Sequence, residues 1–392
     1  MNDVNDVNDQ RSDSDGRGED QELRAMVRRF LSDHASAAQL WRDIASPAGF
    51  DEKIWRRFAG ELGLAGLNVP EDLGGAGATF AQHCLVLEEL GSTLTGLPYL
   101  SSAIAQYALL ESAPSPAATD WLPQLASGAA RGTIAVAEDD GVWTAAGVRL
   151  RAAQDGERWV LAGVKSFVLD ASGADLVVVA ARSAAGLSLY AVDGRDPGLR
   201  QELLPAMDPT RRLSRLSFAG VPARLIGDDG DGARVLTRVL HLAAISLAAE
   251  QVGGAGRCLR MAVDYARSRA QFGRLIGSFQ AVQHLCTDML IDLECARSAV
   301  LCGVRAASAS PEQLQANACL AKSYAADAFV RIAERNIQVH GAIGFTWEHQ
   351  AHLYYKRAKS GQLLLGDSTY YRRMLAETVG LSRGGEEHHA RI

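Results

Sequence analysis

The segment SRAQFGRLIGSFQAVQH, Ser268 to His284, joins the end of one helical pattern to the start of another. Gly273 and Gly277 interrupt the apolar spacing and predict a turn, after which a second amphipathic helix begins. Two interpretations are open at this point. The segment could be a plain junction between two helices, or Arg269 and the turn could face a phosphate, because a guanidinium binds a phosphate in bidentate fashion.

Helical spacing continues on both sides of this junction, over residues 234–269, 278–309 and 312–338. Residues 132–230 instead contain short β-branched or alternating runs punctuated by Gly, Asp and Pro, which predict an antiparallel sheet. Upstream, the spacing is again mostly helical. The order predicts three regions: an N-terminal helical domain (21–131), a β-domain (132–230) and a C-terminal helical domain (231–381). We expect flexible tails over residues 1–20 and 382–392.

The composition is that of a soluble globular protein. Of the 392 residues, 47% are hydrophobic and 22% are charged, with a formal net charge of −6 and no long Lys/Arg run, so we expect no nucleic-acid binding. No apolar run reaches the roughly 18 residues of a membrane helix, and the N-terminus lacks a signal-peptide pattern. The six cysteines have no CxxC spacing, and we expect them to be reduced, small core residues in a cytoplasmic protein.

Two further stretches carry information about function. In QVHGAIGFTWEHQAHLYYKRAK, residues 338–359, Gly341 and Gly344 would let a ligand approach the backbone, and Gln338 could hydrogen-bond it. The three histidines of this stretch have no HExxH spacing and no clustered carboxylates, so we expect no metal site. The other stretch is ELGLAGLNVPEDLGGAGATFAQHCLVLEELG, residues 61–91.

Together and in this order around a central sheet, the three stretches resemble the acyl-CoA dehydrogenase family, over residues 21–381. RAQFGRLIGSFQAVQH, QVHGAIGFTWEH and NVPEDLGGAG each match a family signature closely. The resemblance implies an N-terminal all-α domain, a middle β-domain and a C-terminal four-helix bundle. It also implies FAD, an acyl-CoA substrate and an electron-transfer flavoprotein as acceptor. In the reaction of the family, a carboxylate removes the α-proton of a thioester while the β-hydrogen leaves as hydride to the flavin.

In this family FAD lies between subunits, so each chain has two half-sites. The half that serves a neighbour's flavin looks intact here. By resemblance, Arg269 binds the pyrophosphate, Phe272 and Gly273 line it, and Gln280 lies at the adenosine end. Gln338, Gly341 and Gly344 complete this half-site, which we call the cradle.

The half that holds the chain's own isoalloxazine ring departs from the family pattern. Ala137 stands where the family usually has a threonine, and the turn that follows has lost its glycine-rich, hydroxyl-bearing sequence. Phe167 keeps an aromatic residue of this half-site, but Leu169 replaces a hydroxyl residue that usually bonds flavin N5. Each lost hydrogen bond is worth roughly 0.5–1.5 kcal/mol.

The catalytic base is missing from both positions that the family uses, which are Leu365 and Ala243 here. Asp367 is a substitute candidate, although an N-cap role also suits its position. Glu250, two helical turns past Ala243, is a second candidate, with an ion pair or a packing role as the alternative.

Three hypotheses follow. The chain resembles the partner-type subunits of heterotetrameric acyl-CoA dehydrogenases of sterol side-chain degradation, in which a homologous chain supplies the base. Alternatively, it is a self-sufficient homo-oligomeric dehydrogenase that uses Asp367 or Glu250. In a third interpretation it is a binding or scaffold protein without flavin, although such a protein has no need of Arg269 and Gln338.

Overall fold

The N-terminal region is helical. The computed structural model describes residues 3–156 and 158–381, with side chains from residue 18 onward, so the expected tail over 382–392 lies outside the described residues. Helix α1 begins at Asp3, within the expected N-terminal tail, and Val27 is its first fully buried side chain from residue 18 onward. The helices of this region are α1 (Asp3–His34), α2 (Ala37–Ala45), α3 (Glu52–Arg56), α4 (Phe80–Gly91), α5 (Tyr99–Leu110) and α6 (Pro116–Ala126).

The middle region is one seven-stranded sheet. Its strands are β1 (Gly132–Ala135), β2 (Arg151–Asp155), β3 (Arg158–Leu169), β4 (Leu176–Arg182), β5 (Leu187–Asp193), β6 (Leu199–Leu203) and β7 (Leu213–Ile226). The pairings run β4–β2–β3–β7–β5 and return to β4, so the sheet closes around its own apolar core. Closure leaves few free edges.

The sheet is mixed, and the prediction of a purely antiparallel sheet is wrong. Strands β1 and β4 pair in parallel over four residues, and β2 meets β4 in parallel at one pair, Arg151 with Arg182. The β2–β3 hairpin lies between β1 and β4 in the chain, so β4 can return alongside β1 in the same direction. The other five pairings of this sheet are antiparallel, as predicted.

The C-terminal region contains long helices that pack as a bundle. They are α7 (Gly232–Ser268), α8 (Gln280–Ala309), α9 (Leu314–His340), α10 (Ala351–Leu363) and α11 (Ser368–Thr378), and a small hairpin of β8 (Ala270–Gln271) and β9 (Arg274–Leu275) joins α7 to α8. The three helices predicted from apolar spacing are confirmed as α7, α8 and α9. The domain boundaries themselves stay predictions.

Helix α7 is the core helix of the fold. It is long and apolar enough to cross a membrane, but 83% of its most apolar 18-residue window is buried inside the structure. It packs against α4, α8 and α9. Glycines allow the contact with α4 to be very close: a Cβ on Gly253 would lie 1.8 Å from the Glu88 carbonyl oxygen, and one on Gly91 would lie 2.0 Å from that of Glu250. This contact holds the N-terminal and C-terminal helices together.

The cysteines are free thiols, but they are not all in the core. Cys84, Cys258 and Cys319 are buried as predicted, whereas Cys295 and Cys302 are exposed on α8. The prediction of a core position is wrong for these two, whose side chains are exposed, and Cys286 is only partly buried.

Candidate active site

The turn between α10 and α11 carries the position of the usual base. Leu365 is buried there with a positive φ of 64°, and its carbonyl accepts a hydrogen bond from the Tyr371 hydroxyl at 2.8 Å. Gly366 follows with φ of 108°, a conformation that favours glycine. The backbone of the turn is therefore well defined, and its side chain has no acid or base function.

A buried lysine fixes the same turn from α9. Lys322 Nζ lies 3.0 Å from the carbonyl oxygen of Gly361, 3.4 Å from that of Gln362 and 3.3 Å from that of Gly366. Burial lowers the pKa of Lys322 to about 7, against the opposing effect of Asp327 and Asp367. The ammonium satisfies carbonyls that α10 leaves free at its C-terminus.

The alternative base position is also apolar, since Ala243 is fully buried in α7. Glu250, on the same helix, is part of a buried ion-pair network. Its carboxylate accepts hydrogen bonds from Arg211 at 2.5 Å and from Arg357 at 2.6 Å, and Arg357 also lies 3.0 Å from Asp208. Burial acts to raise the pKa of Glu250, but the two arginines outweigh it and keep the pKa below its ordinary value. A carboxylate so stabilised is a poor proton acceptor.

Asp367 occupies the N-cap of α11. Its side chain accepts a hydrogen bond from the backbone N–H of Tyr370 at 2.7 Å, with an extended backbone conformation. This is the usual geometry of an N-cap aspartate. The contact accounts for Asp367 without any role in proton transfer.

The turn that follows β1 is filled by its own side chains. Ala137 is fully buried, and Val142 and Trp143 are buried behind it. Glu138 accepts hydrogen bonds from the backbone N–H groups of Arg149 and Leu150, at 2.6 and 2.7 Å. Where the resemblance implies a glycine-rich turn, Glu138 binds the backbone of this turn, while Trp143 Nε1 and Thr144 Oγ1 are buried without a hydrogen-bond partner among the described residues.

A buried lysine on β3 also contacts the turn after β1. Lys165 is fully buried and donates hydrogen bonds to the Val136 carbonyl at 2.8 Å and to Glu138 at 3.2 Å. Burial lowers the pKa of Lys165 to about 8, and Glu138 acts in the opposite direction. Asp139 in turn pairs with Arg215 at 2.9 Å. The acids of the turn are thus committed to contacts within the chain.

The end of β3 carries Phe167 and Leu169. Phe167 has a φ of 59° and lies in a bulge, where the pairing of β3 with β7 shifts register between Lys165 and Val168. A bulge re-aims side chains, and that of Phe167 lines a mostly apolar cavity of about 420 Å³. Leu169 lines a different cavity of only about 30 Å³, shared with Asp170 and Glu250. That volume holds about one water molecule.

The hairpin between α7 and α8 presents the first part of the cradle. Arg269 ends α7 and is exposed, and its N–H bonds the Tyr265 carbonyl at 2.8 Å. Phe272 and Gly273 form the hairpin turn with φ of 53° and 79°, and Phe272 is 93% exposed. Gln280 begins α8 and is exposed as well. The sequence-predicted residues of this part lie together on the surface.

The second part of the cradle follows α9. Gln338 and Gly341 are exposed, and a Cβ on Gly341 would meet nothing within 4 Å. Gly344 is buried, and a Cβ there would lie 3.2 Å from both the His340 side chain and the Ile337 carbonyl, so its missing side chain serves packing. The exposed aromatic residues Phe345 (72%) and Trp347 (65%) follow directly.

The histidines of this stretch form an aromatic cluster. His340 stacks on Tyr265 with ring centroids 4.5 Å apart, and His349 lies 4.3 Å from His340. His352 contacts Trp347 with centroids 4.9 Å apart. Burial lowers the pKa of each of the three histidines, which favours neutral rings.

Sequence reasoning missed several charged residues of the site. The partners of Glu250 were not predicted, and neither was Asp170, whose pKa burial raises to about 6 against a hydrogen bond from Ser101. The role of Lys322 was also missed. The available signal was a lysine in the mostly small and apolar stretch LAKSYAADA, residues 320–328.

Comparison with known proteins agrees with this architecture. The family model described as the N-terminal domain of acyl-CoA dehydrogenase matches residues 17–129, and the model of the C-terminal domain matches residues 230–380. The acyl-CoA dehydrogenase IpdE2 of Mycobacterium tuberculosis is 36% identical over 360 residues, which cover 92% of this chain and 97% of that protein. The chain belongs to the acyl-CoA dehydrogenase family.

Solved structures of this family superpose closely. The ChsE4-ChsE5 complex from Mycobacterium tuberculosis includes a chain with a TM-score of 0.85 and 27% identity, covering 93% of this chain and 98% of that one. A chain from a variant of the Tcur3481-Tcur3483 steroid acyl-CoA dehydrogenase has a TM-score of 0.84 and 30% identity, with coverage of 93% and 98%. The fold, with helical, sheet and helical domains, is therefore that of the acyl-CoA dehydrogenases, as predicted.

Proposed function

We propose that this chain is the subunit without a catalytic base in a heteromeric, FAD-dependent acyl-CoA dehydrogenase. A homologous chain would supply the base and the ring pocket, and this chain would supply the cradle for the flavin of that neighbour. Two of its structural relatives, the ChsE4-ChsE5 complex and the Tcur3481-Tcur3483 steroid acyl-CoA dehydrogenase, are named for two chains, which supports a heteromeric assembly; we propose a heterotetramer.

The observation that carries the proposal is the contrast between the two half-sites. Leu365 and Ala243 are both buried and apolar, and Trp143 fills the turn where the family pattern leaves room for a flavin. Arg269 and Gln338 are exposed instead, on a surface with space beside Gly341 and Gly273. The residues present therefore fit FAD in the cradle, whereas the chain's own ring site keeps Phe167 beside an apolar cavity but lacks the base and the hydroxyl donors of the family pattern.

Within the cradle, each residue has a simple task. Arg269 would pair with the pyrophosphate of FAD, and Phe272 and Gly273 would line it. Gln280 and Gln338 would hydrogen-bond the rest of the FAD molecule, which Gly341 would let approach the backbone closely. When bound, FAD supplies the acceptor for the hydride of an acyl-CoA thioester. We further propose an electron-transfer flavoprotein as the electron acceptor and the cytoplasm as the location.

The experiment that tests the proposal is the visible flavin spectrum with the ratio of FAD to chain. The chain is purified alone and after co-expression with homologous acyl-CoA dehydrogenase chains. A colourless lone chain, with about one flavin per two chains in a co-purified complex, is the expected result. One flavin per chain in the lone protein, together with turnover of an acyl-CoA, would reject the proposal in favour of a self-sufficient enzyme. A complex without flavin would favour the scaffold hypothesis.

A further inference from the structure

A cleft on another part of the molecule has the features of a ligand site. It lies between α1, α4, α7 and α8, has a volume of about 570 Å³ and shares no lining residue with the ring site or the cradle. Its floor consists of apolar and small residues, including Leu85, Val252, Gly256, Val300 and Val304. Pockets of this size and apolar character bind small molecules in many proteins.

The rim of the cleft is charged. Arg24 donates to Glu89 at 2.6 Å and to Glu88 at 3.1 Å, Arg28 donates to Glu89 at 2.9 Å, and Arg297 donates to Glu88 at 3.2 Å. The two glutamates are thus already engaged by three arginines. With Asp20 and Arg260, the lining residues described from residue 18 onward comprise four arginines and three carboxylates, a net charge of +1.

Arg260 is the one arginine of the described lining that donates no hydrogen bond to these carboxylates. Its exposed guanidinium forms no hydrogen bond and no ion pair with the side chains described over 18–156 and 158–381, although the charge of Glu89 attracts it at longer range. Partial burial lowers the pKa of Arg260, and the like charge of Arg257 adds to this effect. An anion beside Arg260 would relieve both effects, and the fork of a guanidinium matches a carboxylate in geometry.

We propose that this cleft binds an amphipathic carboxylate, with its apolar skeleton on the floor and its carboxylate paired with Arg260. The net charge of +1 favours a monoanion over a polyphosphate such as the nucleotide part of CoA. The skeleton could be a flexible alkyl chain or a rigid ring system, since the hydroxyl of Ser92, which also lines the cleft, already donates to the Glu89 carbonyl at 2.7 Å.

The test is calorimetric titration of the full chain with octanoate, with octan-1-ol as its neutral analogue and with cholate as a rigid carboxylate. Octanoate or cholate should bind at least tenfold more tightly than octan-1-ol. Arg260→Met should remove this preference, and Arg267→Met, on the same helix outside the cleft, should keep it. Binding by octanoate alone would assign a flexible ligand, and binding by cholate alone a rigid one.

A second variant tests the floor without changing charge. A Cβ on Gly256 would lie 3.5 Å from Arg260 Nη1 and 3.8 Å from Leu293, so Gly256→Leu has room to fold while its side chain fills the cleft. It should abolish carboxylate binding, with a melting temperature close to that of the native chain. Equal affinity for octanoate, cholate and octan-1-ol in the native chain, or unchanged carboxylate binding in both variants, would overturn the proposal. These probes contain no flavin or thioester, so the result does not depend on the proposed function.

Discussion

The polar groups of the cradle are exposed, whereas those of the ring site, the half-site for the chain's own isoalloxazine ring, are paired within the chain. In the ring site, Glu138, Asp139 and Glu250 are each paired with a cation of the same chain. In the cradle, the side chains of Arg269 and Gln338 are exposed to solvent, and so is the aromatic ring of Phe272. Polar groups that are already paired within the chain are not available to bind a ligand. An exposed and partly apolar surface, in contrast, is typical of an interface that a partner subunit completes.

The largest expected effect concerns Glu250, whose loss would break the ring-site network. Glu250→Gln should lower the free energy of unfolding by about 3–5 kcal/mol, because Arg211 would remain buried without its salt-bridge partner and Arg357 would keep only Asp208. Chemical denaturation measures this, and Glu312→Gln, at an exposed position, should change stability by less than about 0.5 kcal/mol. Full stability of Glu250→Gln, combined with a loss of turnover by orders of magnitude, would instead identify Glu250 as a base.

The next effect concerns the cradle. In a co-purified complex with a homologous chain, Arg269→Ala should weaken FAD binding about 10–100-fold, since a charged hydrogen bond contributes about 1.5–3 kcal/mol. The FAD-to-chain ratio after dialysis and a fluorescence titration of FAD measure the change. Arg305→Ala, at an exposed position of α8, is the matched control and should retain flavin. Equal flavin retention by both variants would place the pyrophosphate elsewhere.

Sequence patterns predicted the elements of this molecule better than the contacts between them. Helices α7, α8 and α9 follow from a 3.6-residue apolar period, which is a local property of the chain. The network around Glu250 joins residues at positions 208, 211, 250 and 357, and no spacing rule connects positions so far apart. The parallel pairing of β1 with β4 was missed for the same reason. The cradle could be proposed from the sequence because each of its two parts is a continuous segment, and its role in binding FAD stays a prediction.

A third prediction uses the pH dependence of Lys322. Because burial lowers its pKa to about 7 in the folded chain, the unfolded chain binds more protons than the folded one from about pH 7 up to the usual pKa of 10.5. Stability should therefore rise with pH in this range, by about 1 kcal/mol between pH 7 and 8. The quantity to measure is the free energy of unfolding of the native chain minus that of Lys322→Met. Parallel pH profiles for the two proteins would show that Lys322 does not titrate in this range.

The smallest effect separates the two roles considered for Asp367. Asn and Asp are equally good N-caps, so Asp367→Asn should change the free energy of unfolding by only a few tenths of a kcal/mol, whereas Asp367→Ala should cost about 1 kcal/mol. An amide cannot accept the proton of a thioester, so a catalytic Asp367 would lose turnover by orders of magnitude in both variants. We expect the co-purified complex to keep its turnover with Asp367→Asn, because the described contact of this carboxylate is the backbone N–H of Tyr370. A stable but inactive Asp367→Asn complex would move the base into this chain and remove the asymmetry between the two half-sites.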